Sequence, residues 1–173
     1  MDQEQETQIV RRAKQQAYRL LAYRNQTSSE LRDRLQRRGY TPPVIDEVLR
    51  QLVSDGYVDD RKLALDWARY RLQTKPLGRR RLAWELRRRG IPPESVEEVL
   101  REVYAEFDEV TLAEQAARKR LGSKELPRSP RERQRYIRHL IRLGFDTEIV
   151  ATALAALGSV DEAQDIISSG EAC

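Results

Sequence analysis

The chain has 173 residues, of which 39% are hydrophobic, 6% are aromatic and 35% are charged. This composition is lean for one large globule but suits small helical units stacked side by side. A single cysteine, Cys173, excludes an internal disulfide and a thiol-rich metal site. The N-terminal residues lack a signal-peptide core and no apolar run reaches transmembrane length, so we expect a cytoplasmic protein.

The net charge of +4 conceals a segregated pattern of charge. Residues 69–90 contain nine Lys or Arg and one Glu, whereas residues 91–117 contain one Arg and eight acids. Residues 118–142 again contain ten Lys or Arg against two Glu. Alternating blocks of this kind predict basic stripes on the surface, which are typical of proteins that bind a polyanion.

The first predicted elements are three helices in succession. Apolar spacing predicts a lead helix over about residues 9–26. Thr27 and Glu30 then form a capping-box pattern, which predicts the start of a basic helix over residues 28–38. A helix with one apolar stripe follows over residues 42–54.

Two adjacent carboxylates introduce the next lead helix. Asp59 and Asp60 precede a helical pattern over residues 61–72. We interpret Asp60 as the N-cap of that helix, because capping explains its position more simply than a pair of catalytic carboxylates does. A third lead helix is predicted over about residues 111–121, and no strand pattern is present anywhere in the sequence.

An internal repeat organises these helices, and a repeat of this kind decides how the rest of the chain is interpreted. Nine positions recur with spacings of 51 and 54 residues, and only Ser95 among them is polar in any copy. The positions are Leu31, Leu35, Gly39, Tyr40, Val44, Ile45, Val48, Leu49 and Leu52 in the first copy; Leu82, Leu86, Gly90, Ile91, Ser95, Val96, Val99, Leu100 and Val103 in the second; and Tyr136, Leu140, Gly144, Phe145, Ile149, Val150, Ala153, Leu154 and Leu157 in the third.

Each copy predicts a helix–turn–helix unit preceded by a lead helix. Gly39, Gly90 and Gly144 mark helix ends, because the residue after a helix often adopts a left-handed conformation that glycine reaches most easily. The sequence therefore predicts an all-α fold of tandem three-helix repeats. The predicted units cover residues 9–58, 60–108 and 111–158, and an acidic tail covers residues 159–173.

The sequence offers no residues arranged for catalysis. His139 is the one histidine, and its neighbours Arg138 and Arg142 are basic, so no nearby carboxylate in the sequence can orient it as a general base. We interpret His139 as a partly exposed surface or packing residue. One His and one Cys are too few for a zinc site, and there is neither a phosphate-binding glycine loop nor a nucleophile elbow. The pattern predicts a binding protein without cofactor or metal rather than an enzyme.

The second basic helix separates into an apolar and a basic face. Leu82, Ala83 and Leu86 lie within about 100° of one another on a helical wheel, and Trp84 lies among arginines on the opposite side. Such a face can contact phosphates and bases, or present Arg and Trp to a protein, although a merely solvated face is the simplest alternative. The candidate residues for binding a protein or nucleic acid are Arg37, Arg38, Arg79, Arg80, Arg81, Trp84, Arg87, Arg88, Lys119, Arg120, Arg131, Arg135 and Arg138.

One combination of motifs resembles a known protein family. The most specific run is Gly56-Tyr57-Val58-Asp59-Asp60, which leads into a helix. The residues that accompany it are Glu30-Leu31, Leu35, Gly39-Tyr40, Ile45, Leu49 and Leu52 before it, and Leu63, Ala64, Gly78, Leu82, Glu85-Leu86 and Arg89-Gly90-Ile91 after it. This combination resembles the RecX family, the bacterial regulators of the RecA recombinase. The resemblance covers about residues 13–157 and is most specific over residues 27–100.

The resemblance implies tandem three-helix repeats that form an elongated, curved body. It also implies binding to RecA and to the filament that RecA forms on single-stranded DNA. In that family the ATPase, strand-exchange and coprotease activities of RecA are generally lowered, which places the protein in DNA repair, homologous recombination and the SOS response. We further expect a monomer that binds nucleic acid non-specifically, with moderate to weak affinity.

Two other classes of protein fit parts of the pattern. A helix-turn-helix regulator that recognises duplex DNA is the main alternative, because three-helix units with basic helices also enter major grooves. The arginines at residues 37–38 and 87–89 favour it, but they lie at helix C-termini, whereas recognition helices usually present N-terminal residues. A scaffold for other helical proteins is the third class, and it predicts no affinity for nucleic acid even at low salt.

Overall fold

The computed structural model describes residues 3–122, 127 and 129–170, and those residues include helices but no strand. The helices are α1 (Gln3–Tyr23), α2 (Ser28–Gln36), α3 (Pro42–Ser54), α4 (Asp60–Thr74), α5 (Arg79–Arg88), α6 (Pro93–Glu106), α7 (Glu109–Leu121), α8 (Pro130–Arg142) and α9 (Thr147–Gly170). The predicted all-α fold is confirmed. None of the described helices combines the length and apolarity needed to cross a membrane.

The first and last helices differ most from the predicted bounds. α1 begins at Gln3 rather than near residue 9, and Glu4 and Glu6 in its first turn favour an early start because they interact well with the helix dipole. α9 continues without a break to Gly170, so the predicted tail is largely an extension of this helix. Residues 171–173 of that tail lie outside the described residues.

The chain forms two compact units. One contains Met1–Trp67 and Leu86–Val99, and the other contains Ala68–Glu85 and Leu100–Cys173. The division passes through α4, α5 and α6, so each of these helices contributes to both units. We refer to them as the first unit and the second unit.

Apolar side chains at the repeat positions form the interior of each unit. In the first unit α1, α2 and α3 pack against one another around Leu31, Leu35 and Leu52, which are fully buried. In the second unit α7, α8 and α9 pack pairwise, and Leu140 and Phe145 are buried there. Burying a leucine or phenylalanine side chain contributes about 1.5–3 kcal/mol, so the repeat positions are the main source of stability.

Asp59 and Asp60 cap two different helices. Asp59 Oδ1 accepts a hydrogen bond from Lys62 N at 2.9 Å, so Asp59 and not Asp60 caps α4. Asp60 Oδ1 instead accepts from Ser28 N at 2.7 Å, at the start of α2. The prediction that Asp60 caps its own helix is therefore wrong, because its carboxylate reaches a helix 32 residues earlier in the chain.

The glycine turns follow the prediction closely. Gly39, Gly90 and Gly144 have φ of 86°, 77° and 91°. In each turn the next residue donates its N–H to the carbonyl of a leucine five residues earlier, as in a Schellman cap. These bonds are Tyr40 N to Leu35 O, Ile91 N to Leu86 O and Phe145 N to Leu140 O, each 3.3 Å long.

In the first unit, the turn of the second copy lies against the start of α2. Thr27 Oγ1 donates a hydrogen bond to Arg89 O at 2.9 Å, and Thr27 also caps α2 by accepting from Glu30 N at 3.0 Å. A Cβ added at Gly90 would overlap the side chain of Ser29. The predicted capping box at Thr27 and Glu30 is confirmed, and its hydroxyl links two copies of the repeat.

In the second unit, the turn of the third copy lies against the start of α5 in the same manner. Gly78 N donates to Leu143 O at 2.9 Å, and Arg80 N donates to Gly144 O at 3.1 Å. A Cβ at Gly144 would overlap the backbone of Arg81. Two N–H groups at the start of α5, which have no acceptor within their own helix, thus find acceptors in the following copy.

Two glycine substitutions separate the effect of backbone conformation from that of close approach. Gly39 and Gly144 share a left-handed conformation, but a Cβ at Gly39 meets nothing within 4 Å. We expect Gly39→Ala to lower the free energy of unfolding by about 1 kcal/mol. Gly144→Ala should lower it by about 1–3 kcal/mol more, because the backbone of α5 must move away. Urea denaturation followed by circular dichroism measures both, and equal losses would contradict the close approach.

Candidate protein and nucleic-acid interface

The basic and apolar faces of α5 lie as the helical wheel predicts. Leu82, Ala83 and Leu86 are buried, and Trp84 is 44% exposed. Arg80, Arg81, Arg87 and Arg88 are exposed as well. The assignment of faces is confirmed. An exposed Trp among arginines is a combination common in binding surfaces, because both residue types are enriched at interface hot spots.

Acidic side chains oppose much of the positive charge on this face, a pairing that the predicted basic stripes did not include. Four arginines from the predicted site form ion pairs with acids from α5, α6, α7 or the turn before α9. The partners are Glu109 for Arg79, Asp146 for Arg80, Glu85 for Arg81 and Glu97 for Arg87. Most of these pairs face solvent, where an ion pair contributes little to stability, so the arginines stay accessible to another partner.

Glu85 is the best-buried member of these pairs, with 12% of its side chain exposed. Its carboxylate accepts hydrogen bonds from Arg71 Nε at 2.9 Å and from Arg81 Nε at 3.0 Å. Burial raises the pKa of the Glu85 carboxyl, but the hydrogen bonds and charges of Arg71 and Arg81 outweigh burial and hold that pKa below its ordinary value. Glu85 is therefore ionised at neutral pH and anchors both guanidinium groups.

Arg81 connects this anchor to the exposed tryptophan. Its guanidinium carbon lies 4.4 Å from the centre of the Trp84 ring. A cation over an indole face at this distance is attractive and also restricts both side chains. Glu85, Arg81 and Trp84 thus form an ordered surface, which we call the α5 plate, on the outer side of α5.

The remaining site residues lie at several places on the two units. Arg37 and Arg38 at the end of α2 are exposed on the first unit, to which Arg87 and Arg88 also belong. The second unit carries the α5 plate, the half-buried Arg79 and the other exposed cations of the predicted site, namely Arg80, Lys119, Arg120, Arg131, Arg135 and Arg138. Among the residues that the structure describes, no acid pairs with Arg37, Lys119, Arg131 or Arg135.

Some roles were not visible in the sequence. Arg89 is only 23% exposed and lies 3.5 Å from Glu30 Oε1, so it supports the first unit instead of extending the basic surface. Lys75 and His139 line a cavity of the second unit together with Lys119 and Arg120. The repeat contained a signal for this cavity, because His139 occupies the position that Glu85 has in the second copy.

Tandem helical repeats that each contain a left-handed glycine turn, with an exposed basic face on α5, define an all-α repeat protein. The family model described as the first three-helix domain of RecX matches residues 13–52. The model described as the second three-helix domain of RecX matches residues 59–100. These matches cover two of the three copies of the repeat.

Relatives that align with most of this chain are RecX proteins as well. The regulatory protein RecX of Halorhodospira halophila is 36% identical over 146 residues, which are 84% of this chain and 88% of that protein. The regulatory protein RecX of Pelodictyon phaeoclathratiforme is 32% identical over 142 residues, or 82% of this chain and 86% of that one. The regulatory protein RecX of Geobacillus thermodenitrificans is 33% identical over 147 residues, and the match covers 84% of this chain but 54% of that longer protein. This chain belongs to the RecX family of regulatory proteins.

Solved structures show the same fold. The crystal structure of RecX from Lactobacillus salivarius superposes with a TM-score of 0.75 at 21% identity, over 86% of this chain and 96% of that one. A crystal structure of regulatory protein RecX superposes with a TM-score of 0.76 at 20% identity, over 90% and 78% of the two chains. The predicted resemblance to RecX is confirmed.

Glu85 should make stability depend on pH. The pKa of Glu85 is lower in the folded protein than in the unfolded chain. The stability that the ionised carboxylate contributes is therefore fully present above the unfolded pKa and is lost as the pH falls through the folded pKa. We expect Glu85→Gln to lower the free energy of unfolding at neutral pH by about 1.5–3 kcal/mol, the range for hydrogen bonds to charged groups. The difference from the wild type should vanish at acidic pH.

A matched variant controls for loss of a surface carboxylate. Glu106 on α6 accepts a hydrogen bond from Arg69 Nε at 2.9 Å but is much more exposed than Glu85. Glu106→Gln should therefore lower the free energy of unfolding by less than Glu85→Gln does in the same denaturation series. An equal or larger cost for Glu106→Gln would contradict the anchoring role of Glu85.

Proposed function

We propose that this protein is a cytoplasmic, monomeric regulator that binds RecA and the filament that RecA forms on single-stranded DNA. In this proposal it lowers the ATPase, strand-exchange and coprotease activities of RecA. Membership of the RecX family supports the partner, since the relatives that cover most of this chain are named regulatory protein RecX. The observation that supports particular residues for this contact is the ordered α5 plate.

The α5 plate suits contact with a protein. Trp84 offers apolar area, and Arg81 offers a planar donor group that Glu85 and the indole ring already hold in place. A side chain that is ordered before binding loses less entropy on binding, so each contact contributes more to affinity. We place the main RecA contact here, together with Arg79 and Arg80 of the same unit, and we propose Arg87 and Arg88 of the first unit as further contacts.

Exposed cations that are not part of the plate suit a weaker contact with nucleic acid. Arg37, Arg38, Arg131, Arg135 and Arg138 are exposed, and phosphate contacts from such residues carry no sequence information. We therefore propose non-specific binding to the DNA of the filament. Its affinity should fall steeply with salt, because each phosphate contact releases counterions.

We also propose that residues 111–158 act as a third three-helix unit, followed by an acidic tail. α7, α8 and α9 pack pairwise. The turn at Gly144 has the same hydrogen bonds as the turns at Gly39 and Gly90. Both observations favour a third copy of the three-helix repeat within the second unit.

The alternative function, a helix-turn-helix regulator that recognises duplex DNA, has less support. A recognition helix brings its N-terminal residues to the base edges. In α5, however, Gly78 N and Arg80 N donate to Leu143 O and Gly144 O, and the Arg79 side chain pairs with Glu109. The start of this helix is therefore engaged within the second unit. Selection from a random duplex pool tests the point, and an enriched motif would favour the alternative.

The direct test measures ATP hydrolysis by RecA on single-stranded DNA with substoichiometric amounts of this protein added. We expect hydrolysis to decrease, because one bound regulator affects a filament of many RecA subunits. Co-sedimentation with the filament reports binding separately. Unchanged hydrolysis together with no co-sedimentation would rule out the proposed function.

Two aromatic substitutions locate the contact. Trp84→Ala should weaken inhibition of RecA by about tenfold or more, as the loss of a hot-spot residue does. Tyr70→Ala is the matched control, because Tyr70 is another exposed aromatic of the second unit and lies outside the α5 plate. If both variants inhibit as well as the wild type, or both fail equally, the plate is not the contact.

A further inference from the structure

The second unit contains a cavity of about 290 Å³ whose charged lining is entirely basic among the residues that the structure describes. Lys75, Lys119, Arg120 and His139 contribute its polar groups. Pro76 and Leu143 contribute apolar surface. Cations that share one cavity repel one another, so an anion bound there would remove an unfavourable interaction.

The second copy of the repeat has a carboxylate at the position where the third copy has His139. Three buried residues of α4 recur in α7 with a spacing of 49 residues, which aligns Arg71 with Arg120. The turn alignment, with its spacing of 54 residues, places His139 at the position of Glu85. The aligned buried residues are Ala64 with Ala113, Ala68 with Ala117, and Leu72 with Leu121.

The aligned pairs have different chemistry. Arg71 Nε donates to Glu85 Oε2 at 2.9 Å, so the arginine of the second copy has a carboxylate partner. Arg120 Nη1 instead lies 3.4 Å from His139 Nδ1, and its guanidinium carbon lies 5.6 Å from the centre of the Tyr136 ring. An imidazole and an aromatic ring orient Arg120 without neutralising its charge. Within the described residues, the third copy therefore has an ordered cation where the second copy has an ion pair.

The surroundings of His139 are positively charged as well. Burial lowers the pKa of His139, and the cations Arg120 on α7, Arg142 on α8 and Lys75 after α4 lower it further. The imidazole is thus neutral at neutral pH. It can accept from a guanidinium or donate one N–H to an anion, depending on its tautomer. A bound anion would favour the protonated ring and raise the pKa.

We propose that this cavity binds a phosphate ester, with its phosphate among Lys75, Lys119, Arg120 and His139 and its sugar against Pro76 and Leu143. The volume is close to the lower end of small-molecule sites, which begin at about 300 Å³, and it exceeds the space that a bare phosphate fills. The inference goes beyond the proposed function, because binding requires neither RecA nor a filament. A free nucleotide and a nucleic-acid strand both offer this chemistry.

The single histidine makes the test direct. The pKa of His139 is measured by NMR on protein labelled in its histidine ring. Titrations are made without ligand and with inorganic phosphate, thymidine 5′-monophosphate, or a thymidine tetranucleotide with or without a 5′-phosphate. We expect at least one phosphate ester to raise the pKa by about one unit, a typical effect of a nearby opposite charge. Inorganic phosphate should act more weakly, because it lacks the sugar.

Paired variants identify the cavity as the site. Lys119→Ala with Arg120→Ala should abolish the ligand-dependent shift of the His139 pKa. Arg101→Ala with Arg133→Ala should preserve it, because these two exposed cations of the second unit belong to neither the cavity nor the proposed RecA and DNA contacts. His139→Glu should restore the carboxylate of the second copy and weaken ester binding tenfold or more by calorimetry. Gln134→Glu adds the same charge at an exposed position of the same helix and should bind like the wild type.

Each outcome has a defined meaning. Equal shifts with the monophosphate and the tetranucleotides assign the site to free nucleotides, and a shift with tetranucleotides alone assigns it to a strand. No shift with any probe, or equal losses in His139→Glu and Gln134→Glu, would overturn the proposal. Because RecA is absent from these measurements, a protein that binds esters but leaves RecA unaffected would contradict the proposed function alone.

Discussion

The structure depends on one recurring interaction: a left-handed glycine turn of one copy contacts the start of the basic helix in the copy before it. In the first unit the turn at Gly90 receives the Thr27 hydroxyl through Arg89 O. In the second unit the turn at Gly144 receives backbone donors from Gly78 and Arg80. Only glycine fits there, because it reaches the left-handed conformation easily and has no Cβ to overlap the neighbouring helix.

This interaction decides which part of α5 can reach a partner. Since the start of the helix is engaged, its outer face is the part that remains, and Glu85 orders Arg81 and Trp84 there. In the third copy His139 replaces that carboxylate, and the same position faces a basic cavity instead. One backbone arrangement thus supports an ordered Arg–Trp surface in one copy and a candidate anion site in the next.

The sequence alone predicted the features that depend on local patterns. Nine repeated positions identified the buried leucines, and glycines 39, 90 and 144 identified the turns, because burial and left-handed conformation leave regular traces in a helical sequence. It did not predict that Asp60 caps α2, that Asp146 pairs with Arg80, or that Lys75 reaches the cavity. Those contacts join residues distant in the chain, and spacing along a helix carries no information about them.

Hydrogen exchange of the α5 N-terminus tests the central claim most directly. Backbone N–H groups in the first turn of a helix normally exchange fast, because they have no acceptor within the helix. If the glycine turn of the third copy supplies acceptors, the N–H groups of Gly78 and Arg80 should exchange as slowly as those in the middle of α5. Exchange at the rate of an unprotected peptide at both positions would contradict the account.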